Sequence, residues 1–255
     1  PNAVEPLKES ERGIKGRLLV IDAVTPTPDH DAGSLVMMET IQSFQACGWR
    51  VSFVPEDNFA HLPVVTSRLQ RVGIETLYWP TYRSVDEILA KRGNEFDIVL
   101  ISRVGPASKH LSTVRSRAPD AKVIFNTVDL HFLREQREAQ FSKNSEAIKK
   151  AERTRTIELQ AVVESDLTIV HSTVEAEILK REAPEAQVCV FPWVSPVRSP
   201  TIPISLRRNV LFIGGFKHAP NIDGLRWFLQ DIWPRVRAQL PDATFNVIGA
   251  DAPSE

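Results

Sequence analysis

The chain has 255 residues, 42% hydrophobic and 25% charged, with 31 Lys and Arg against 32 Asp and Glu for a formal net charge of −1. That composition suits a globular protein with a sizeable core, in one large domain or two smaller ones, and it lacks the basic stripe of a binder of nucleic acid or anionic membrane. No run approaches the roughly 18 apolar residues of a membrane span, and residues 1–15 have no apolar core of a secretory signal.

Residues 17–23 (RLLVIDA) read as the first strand. A Pro- and acid-rich loop over 25–31 follows, and Gly33 and Ser34 open a helix to about Cys47 that Gly48 stops. A strand over 51–55, a helix from about Pro63 to Gly73, a strand over 74–79 and a helix over 85–92 come next. Residues 97–102 (DIVLIS) form an almost unbroken apolar run, the mark of a strand covered on both faces. A helix is expected over 107–117 and a strand over 122–126. The segment 132–164 is mostly charged, with widely spaced hydrophobics at Ile148, Ile157, Leu159 and Val162, which predicts a mainly solvated helix or helix pair. A strand over 166–171 (DLTIVH), a helix over 173–181 and a strand over 187–191 complete the series. Strands interleaved with helices in this way predict an α/β fold, a doubly wound, mainly parallel Rossmann-like sheet.

Pro192, Pro196, Pro200 and Pro203 then make 192–208 a semi-stiff linker. Beyond it come a strand over 209–213, Gly214-Gly215, a loop to Asn221, a helix over 222–240 and a strand over 243–248. That is one βαβ unit, too small to stand as a domain. The expected organisation is an N-terminal extension (1–16), a Rossmann-like domain (17–191), the linker, and the start of a second Rossmann-like domain (209–255). The chain opens on Pro and stops just after a strand, so a piece of a longer protein is expected. Cys47 and Cys189 are expected as buried thiols rather than a disulfide, in keeping with a reducing cytoplasm. Trp193, Trp227 and Trp233 are expected in core or interdomain packing.

Ligands of open α/β sheets bind at the carboxyl ends of the strands, so polar residues there are the candidates. The richest stretch is KVIFNTVDLHFLREQRE, 122–138, where apolar Val123, Ile124 and Phe125 give way to Asn126, Thr127, Asp129 and His131 as strand hands over to helix. His131, two residues after Asp129, either meets a ligand hydroxyl or holds a general-base proton, or else caps the helix. Arg134 and Arg137 either meet anions or, as expected here, pair with Glu135 and Glu138 on a solvated helix face. Arg103, after Ser102 at the end of the fourth strand, is placed to reach a phosphate or an acidic neighbour. His171 ends the sixth strand, and Glu175 falls in the first turn of the next helix, where the dipole favours a carboxylate for structural reasons alone. Gly33 and Ser34 either let backbone amides approach an anion or hydroxyl or, with Asp31, serve as a cap. Their loop lacks G-x-G-x-x-G, which argues against nicotinamide binding; Asp29 and Asp31, without further partners, read as loop charges rather than metal ligands. Asp22 ends the first strand, but the further acids and later lysine of a phospho-acceptor domain are missing. Gly214 and Gly215, with Lys217 ahead of a helix, either accommodate a diphosphate or form a tight turn with Pro220 near the first helical position.

Four stretches, DHDAGSLVMMETIQSFQACGWRVSFVP, FDIVLISR, PDAKVIFNTVDLHFLRE and NVLFIGGFKHAPNIDGLRWFLQDIWPRVRAQLPDATFNVIGA, together resemble the GT-B glycosyltransferases, in particular the retaining family 4, or group 1, type of surface-polysaccharide and O-antigen loci. The resemblance implies two Rossmann-like domains, the first binding the acceptor and the second a nucleotide-diphosphate sugar, with transfer to a glycan or lipid-linked hydroxyl and retention of configuration. It implies that Gly33 lies near the donor phosphates, that His131 contacts the donor sugar and that Lys217 meets the diphosphate, although many relatives place an Arg and a Lys at a different spacing. It implies no cofactor, no bound metal and no nucleic-acid partner, a cytoplasmic location, and peripheral contact with the inner face of the membrane where the acceptor is lipid-linked. The family's E-x7-E motif would fall beyond Glu255, so this chain alone is expected to be inactive. The competing expectations are a non-catalytic GT-B-like module that binds a glycan or a partner and a sugar-nucleotide epimerase.

Overall fold

A computed structural model describes residues 13–142, 144–193, 202–216 and 219–250. β1 (Gly16–Asp22) lies at the centre of the larger of two compact units. Side chains alternate along a strand, and here Leu19 and Ile21 enter one core while Leu18 and Val20 enter another, all at most 1% exposed. Such a strand needs cover on both faces. β2 (Trp49–Pro55), β3 (Glu75–Thr76), β4 (Ile98–Ser102), β5 (Lys122–Asn126), β6 (Leu167–Val170) and β7 (Val188–Val190) complete a parallel sheet of order β3-β2-β1-β4-β5-β6-β7.

One face is covered by α1 (Ala32–Ala46) and α2 (Pro63–Arg71) through Met37, Ile41 and Leu69. The other is covered by α3 (Val85–Arg92), α4 (Val104–Arg117), α5 (His131–Ser142), α6 (Ser145–Glu164) and α7 (Thr173–Glu182), through Ile88, Leu111, Val114, Phe132, Val162 and Leu179. This is the doubly wound parallel α/β architecture that the alternation of strands and helices predicts. Strand order reverses between β1 and β4, and the crevice outside the carboxyl ends at such a switch point is where ligands bind in these sheets.

The smaller unit holds β8 (Val210–Ile213) and β9 (Phe245–Ile248), paired in parallel, with α8 (Ala219–Trp227) and α9 (Trp233–Gln239). Phe228, Trp233 and Phe245 gather there with ring centroids 4.7–6.2 Å apart. Gly249 lets two backbone segments touch, since a Cβ on it would lie 1.8 Å from the Gly214 carbonyl oxygen.

Several expectations change in detail. β3 is two residues long rather than six, because after Leu77 donates to the Phe53 carbonyl the chain peels away into Trp79-Pro80, and proline has no N–H for a ladder. α4 begins at Val104, three residues early; Pro106 is tolerated in a first turn whose amides have no partner within the helix. The charged segment is a helix pair and mainly solvated, as expected, with Ile148 and Ile157 facing solvent, but it also has a buried face of Phe132, Ala139, Ala151, Ala161 and Val162 between α5, α6 and the sheet. Alanines let the helices approach closely and hide the apolar face from a search for large side chains. The helix expected over 222–240 is broken by a π-helical turn at Phe228–Ile232, just before Pro234, which cannot donate to a regular ladder. Cys47, beyond the end of α1, and Cys189, on the edge strand β7, are exposed free thiols rather than buried ones. Trp193 and Trp227 are likewise exposed rather than packed in a core.

Candidate functional site

The polar residues expected at strand ends come together on the carboxyl edge of the large sheet. β5 runs between β4 and β6 and delivers Asn126 and Thr127, both buried, to this rim. Two non-glycine residues of the rim hold positive φ, Arg103 at 75° and Val128 at 64°. Left-handed backbone costs such residues of order 1–3 kcal/mol and collects at functional sites. Arg103 donates its backbone N–H to the Asn126 carbonyl at 2.8 Å and its Nε to the buried Asp22 carboxylate at 3.0 Å. Of its two expected partners the structure supplies the acidic neighbour.

Next to them lies a triad of side chains. The Nδ1 of His131 stands 3.1 Å from both the carbonyl and the Oδ1 of Asp129, and Arg134 donates to Asp129 Oδ2. Arg134 therefore pairs with Asp129 and not with Glu135, which Lys150 takes at 2.7 Å. Burial lowers the pKa of His131, against the pull of the Asp129 charge, and the Arg134 and Arg103 charges push the same way as burial. The imidazole is thus neutral at neutral pH. With acceptors on Nδ1, the proton sits there, and the tautomer so assigned makes Nε2 a hydrogen-bond acceptor. Nε2 has no hydrogen-bond partner among the described residues.

One residue of this cluster escaped the sequence reading. Glu158 of α6 is 0% exposed and accepts the backbone N–H groups of His131 at 3.2 Å and Phe132 at 2.9 Å. Burial pushes its carboxyl up to about 7, against these two hydrogen bonds. The available signal was an acid within the apolar helical stripe Ala151, Glu158, Val162.

Other candidates prove to hold the rim together. Ser172 caps α7 by accepting the Glu175 N–H at 3.2 Å, and Glu175 accepts from His171 N at 3.2 Å and from Leu130 N at 3.3 Å, a variant of the capping box. The ring of His171 is engaged at both nitrogens, Nδ1 with the Phe191 carbonyl at 2.7 Å and Nε2 with the Asn126 side chain at 3.0 Å. A cleft of about 510 Å³ opens beside them, lined among others by Val128, Asp129, Leu133, Arg137 and His171 and by the exposed ring of Trp193, which meets His171 edge-on. Gly33 and Ser34 lie in the first turn of α1, with Ser34 turned inward at 2% exposure. In the smaller unit, Gly214 is packed against Asn221, whose Nδ2 donates to the Gly215 carbonyl at 2.9 Å, whereas a Cβ on Gly215 would meet nothing within 4 Å. Lys217 lies outside the described residues. No group of three His, Cys, Asp or Glu suited to a metal ion occurs among the described residues, and no helix of theirs is long and apolar enough to cross a membrane.

No family model and no curated protein matches the chain. Solved structures do, and they define its class as the α/β fold of GT-B glycosyltransferases. Sucrose-phosphate synthase from Thermosynechococcus elongatus superposes with a TM-score of 0.56 at 15% identity, over 94% of this chain and 64% of that one. HepE from Anabaena in complex with UDP gives a TM-score of 0.56 at 14% identity over 91% of this chain and 61% of that one, and HepE with UDP and glucose gives 0.53 at 11% over 93% and 70%. The chain therefore spans 61–64% of the length of the first two.

Proposed function

We propose that this chain supplies the acceptor-side domain and the beginning of the donor-side domain of a retaining nucleotide-sugar glycosyltransferase. The reaction moves a sugar from a nucleoside diphosphate to a hydroxyl of a glycan or lipid-linked acceptor, in the cytoplasm or at the inner face of the membrane. The observation that carries this reading is His131, a neutral imidazole with Nδ1 tied to Asp129 and Nε2 without a partner among the described residues, at the carboxyl edge of a GT-B-type sheet. Such a nitrogen accepts a hydrogen bond from a hydroxyl of the donor sugar, and Asp129 holds the ring in the required tautomer. The amides at Gly33 and Ser34, the open backbone at Gly215 and the charge of Lys217 serve the diphosphate, while Arg103, held by Asp22, His171 and Glu175 shape the rim. Fixed donors facing the departing diphosphate, together with positioning, carry such a transfer without a cofactor or metal. The HepE structures with UDP and with UDP and glucose support a nucleotide sugar as donor.

The test is a thermal-shift panel of UDP, GDP, dTDP and their sugar conjugates on the protein with its second half complete. Binding to the native state at about 100 times the dissociation constant adds roughly 2.7 kcal/mol. One nucleotide should stabilise selectively, and His131→Ala should lose the increment due to the sugar while keeping that due to the nucleotide. A well-folded protein that no nucleotide stabilises would instead be a glycan- or partner-binding module.

A further inference from the structure

The first turn of α5 carries His131, yet the residue before it is Leu130, which has no side-chain acceptor to cap a helix. The cap comes from another helix. Each oxygen of Glu158 takes one first-turn amide, Oε1 that of His131 and Oε2 that of Phe132, where the helix dipole favours an anion. Oε1 also stands 3.8 Å from His131 Nδ1, so two carboxylates converge on that nitrogen, Asp129 from the half-exposed rim and Glu158 from the wholly buried interior. A buried acid is an expensive cap, while Leu130 itself is 2% exposed and belongs to the core.

We propose that Glu158 is the positioning residue of His131, fixing the start of α5 and with it the orientation of the ring, so that Nε2, left an acceptor by the Asp129 contact at Nδ1, is presented outward from the helix start. Its meaning for catalysis rests on the reading of His131 as the sugar-facing group; the geometry does not. The charged groups that bear on it include Asp129, Arg134 and His131 itself, from the turn and helix after β5. Since burial raises the carboxyl to about 7, its charge changes near neutral pH, and the two amides and the ring beside it register the change.

The experiment is a pH titration by NMR of the chain labelled with ¹⁵N in backbone and histidine rings. In the native protein the His131 and Phe132 amides and the His131 ring nitrogens should shift together with a midpoint near pH 7, with the Nδ1-protonated tautomer dominant. In Glu158→Gln the step should vanish and the His131 ring signals should shift from their native positions. Absence of the step from the native protein overturns the proposal, and that arm needs no variant to fold. An unchanged His131 ring spectrum in a folded Glu158→Gln overturns it too. Donor binding separates the two readings: if the NMR coupling stands while His131→Ala leaves nucleotide-sugar affinity unaltered, the sugar-facing role falls and the positioning by Glu158 survives.

Discussion

Burial disfavours the charged form of any ionisable group, so at one rim it lowers the pKa of His131 and raises that of Glu158, to about 7. The consequences for stability follow from which state holds the extra proton. Between the ordinary value of 4.5 and about 7, native Glu158 keeps a proton that the unfolded chain has lost, so its contribution falls as pH rises through that window. Glu158→Gln removes this dependence. Relative to the native protein, the variant should gain stability between pH 4.5 and 8 by at most about 3 kcal/mol, read from urea midpoints at both ends. A difference between the two proteins that is the same at both pH values would mean that Glu158 titrates normally. His131 behaves conversely: below 6.5 the unfolded chain gains a proton that the native ring resists, so stability is lost as pH falls towards its lowered native value. His131→Gln should flatten that acid limb. The sequence made His131 and Asp129 legible because strand-end chemistry is local. Glu158 was not, since its role depends on amides supplied by a different helix.

At the scale of elements, the sequence marks what lies within one segment and misses what segments exchange. α3 and β5 occupy the residues expected, since the apolar run Val123–Ile124–Phe125 is a local signal and α3 is capped within its own segment, Ser84 accepting the Glu87 N–H. The short β3 and the buried face of α6 depend on neighbours. Glu175 belongs to both kinds: it lies in the first turn of α7, as the dipole argument expects, and it also accepts the N–H of Leu130 in the turn before α5. That second bond joins the two helix starts that frame the cleft. Ser172→Ala removes a cap and should cost about 1 kcal/mol. Glu175→Ala leaves two half-buried amides unpaired and should cost about 2 kcal/mol. Chemical denaturation of both variants decides: equal losses would reduce Glu175 to an ordinary cap and dissolve the link between α5 and α7.

For the whole molecule, the two units differ in how much apolar surface they bury. In the larger one, β1, β4 and β5 are sealed between two cores, with Leu18, Leu19, Val99, Leu100 and Val123 all at 0% exposure. In the smaller one the sheet has two strands, and Leu211, Ile213 and Ile248 are each more than half exposed. A two-stranded sheet with little cover is marginal in water, and local stability follows buried contacts. Amides of β8 and β9 should therefore exchange with solvent through openings several kcal/mol cheaper than those that release β1 and β4. Native-state hydrogen exchange on this chain measures both in one experiment. Gly249→Ala sharpens it: with its Cβ 1.8 Å from the Gly214 carbonyl, the substitution should abolish protection in β8 and β9 and leave that of β1 and β4 unchanged. If β1 loses protection together with β8, the units fold as one cooperative body, and the strands of the smaller unit owe their order to the larger one.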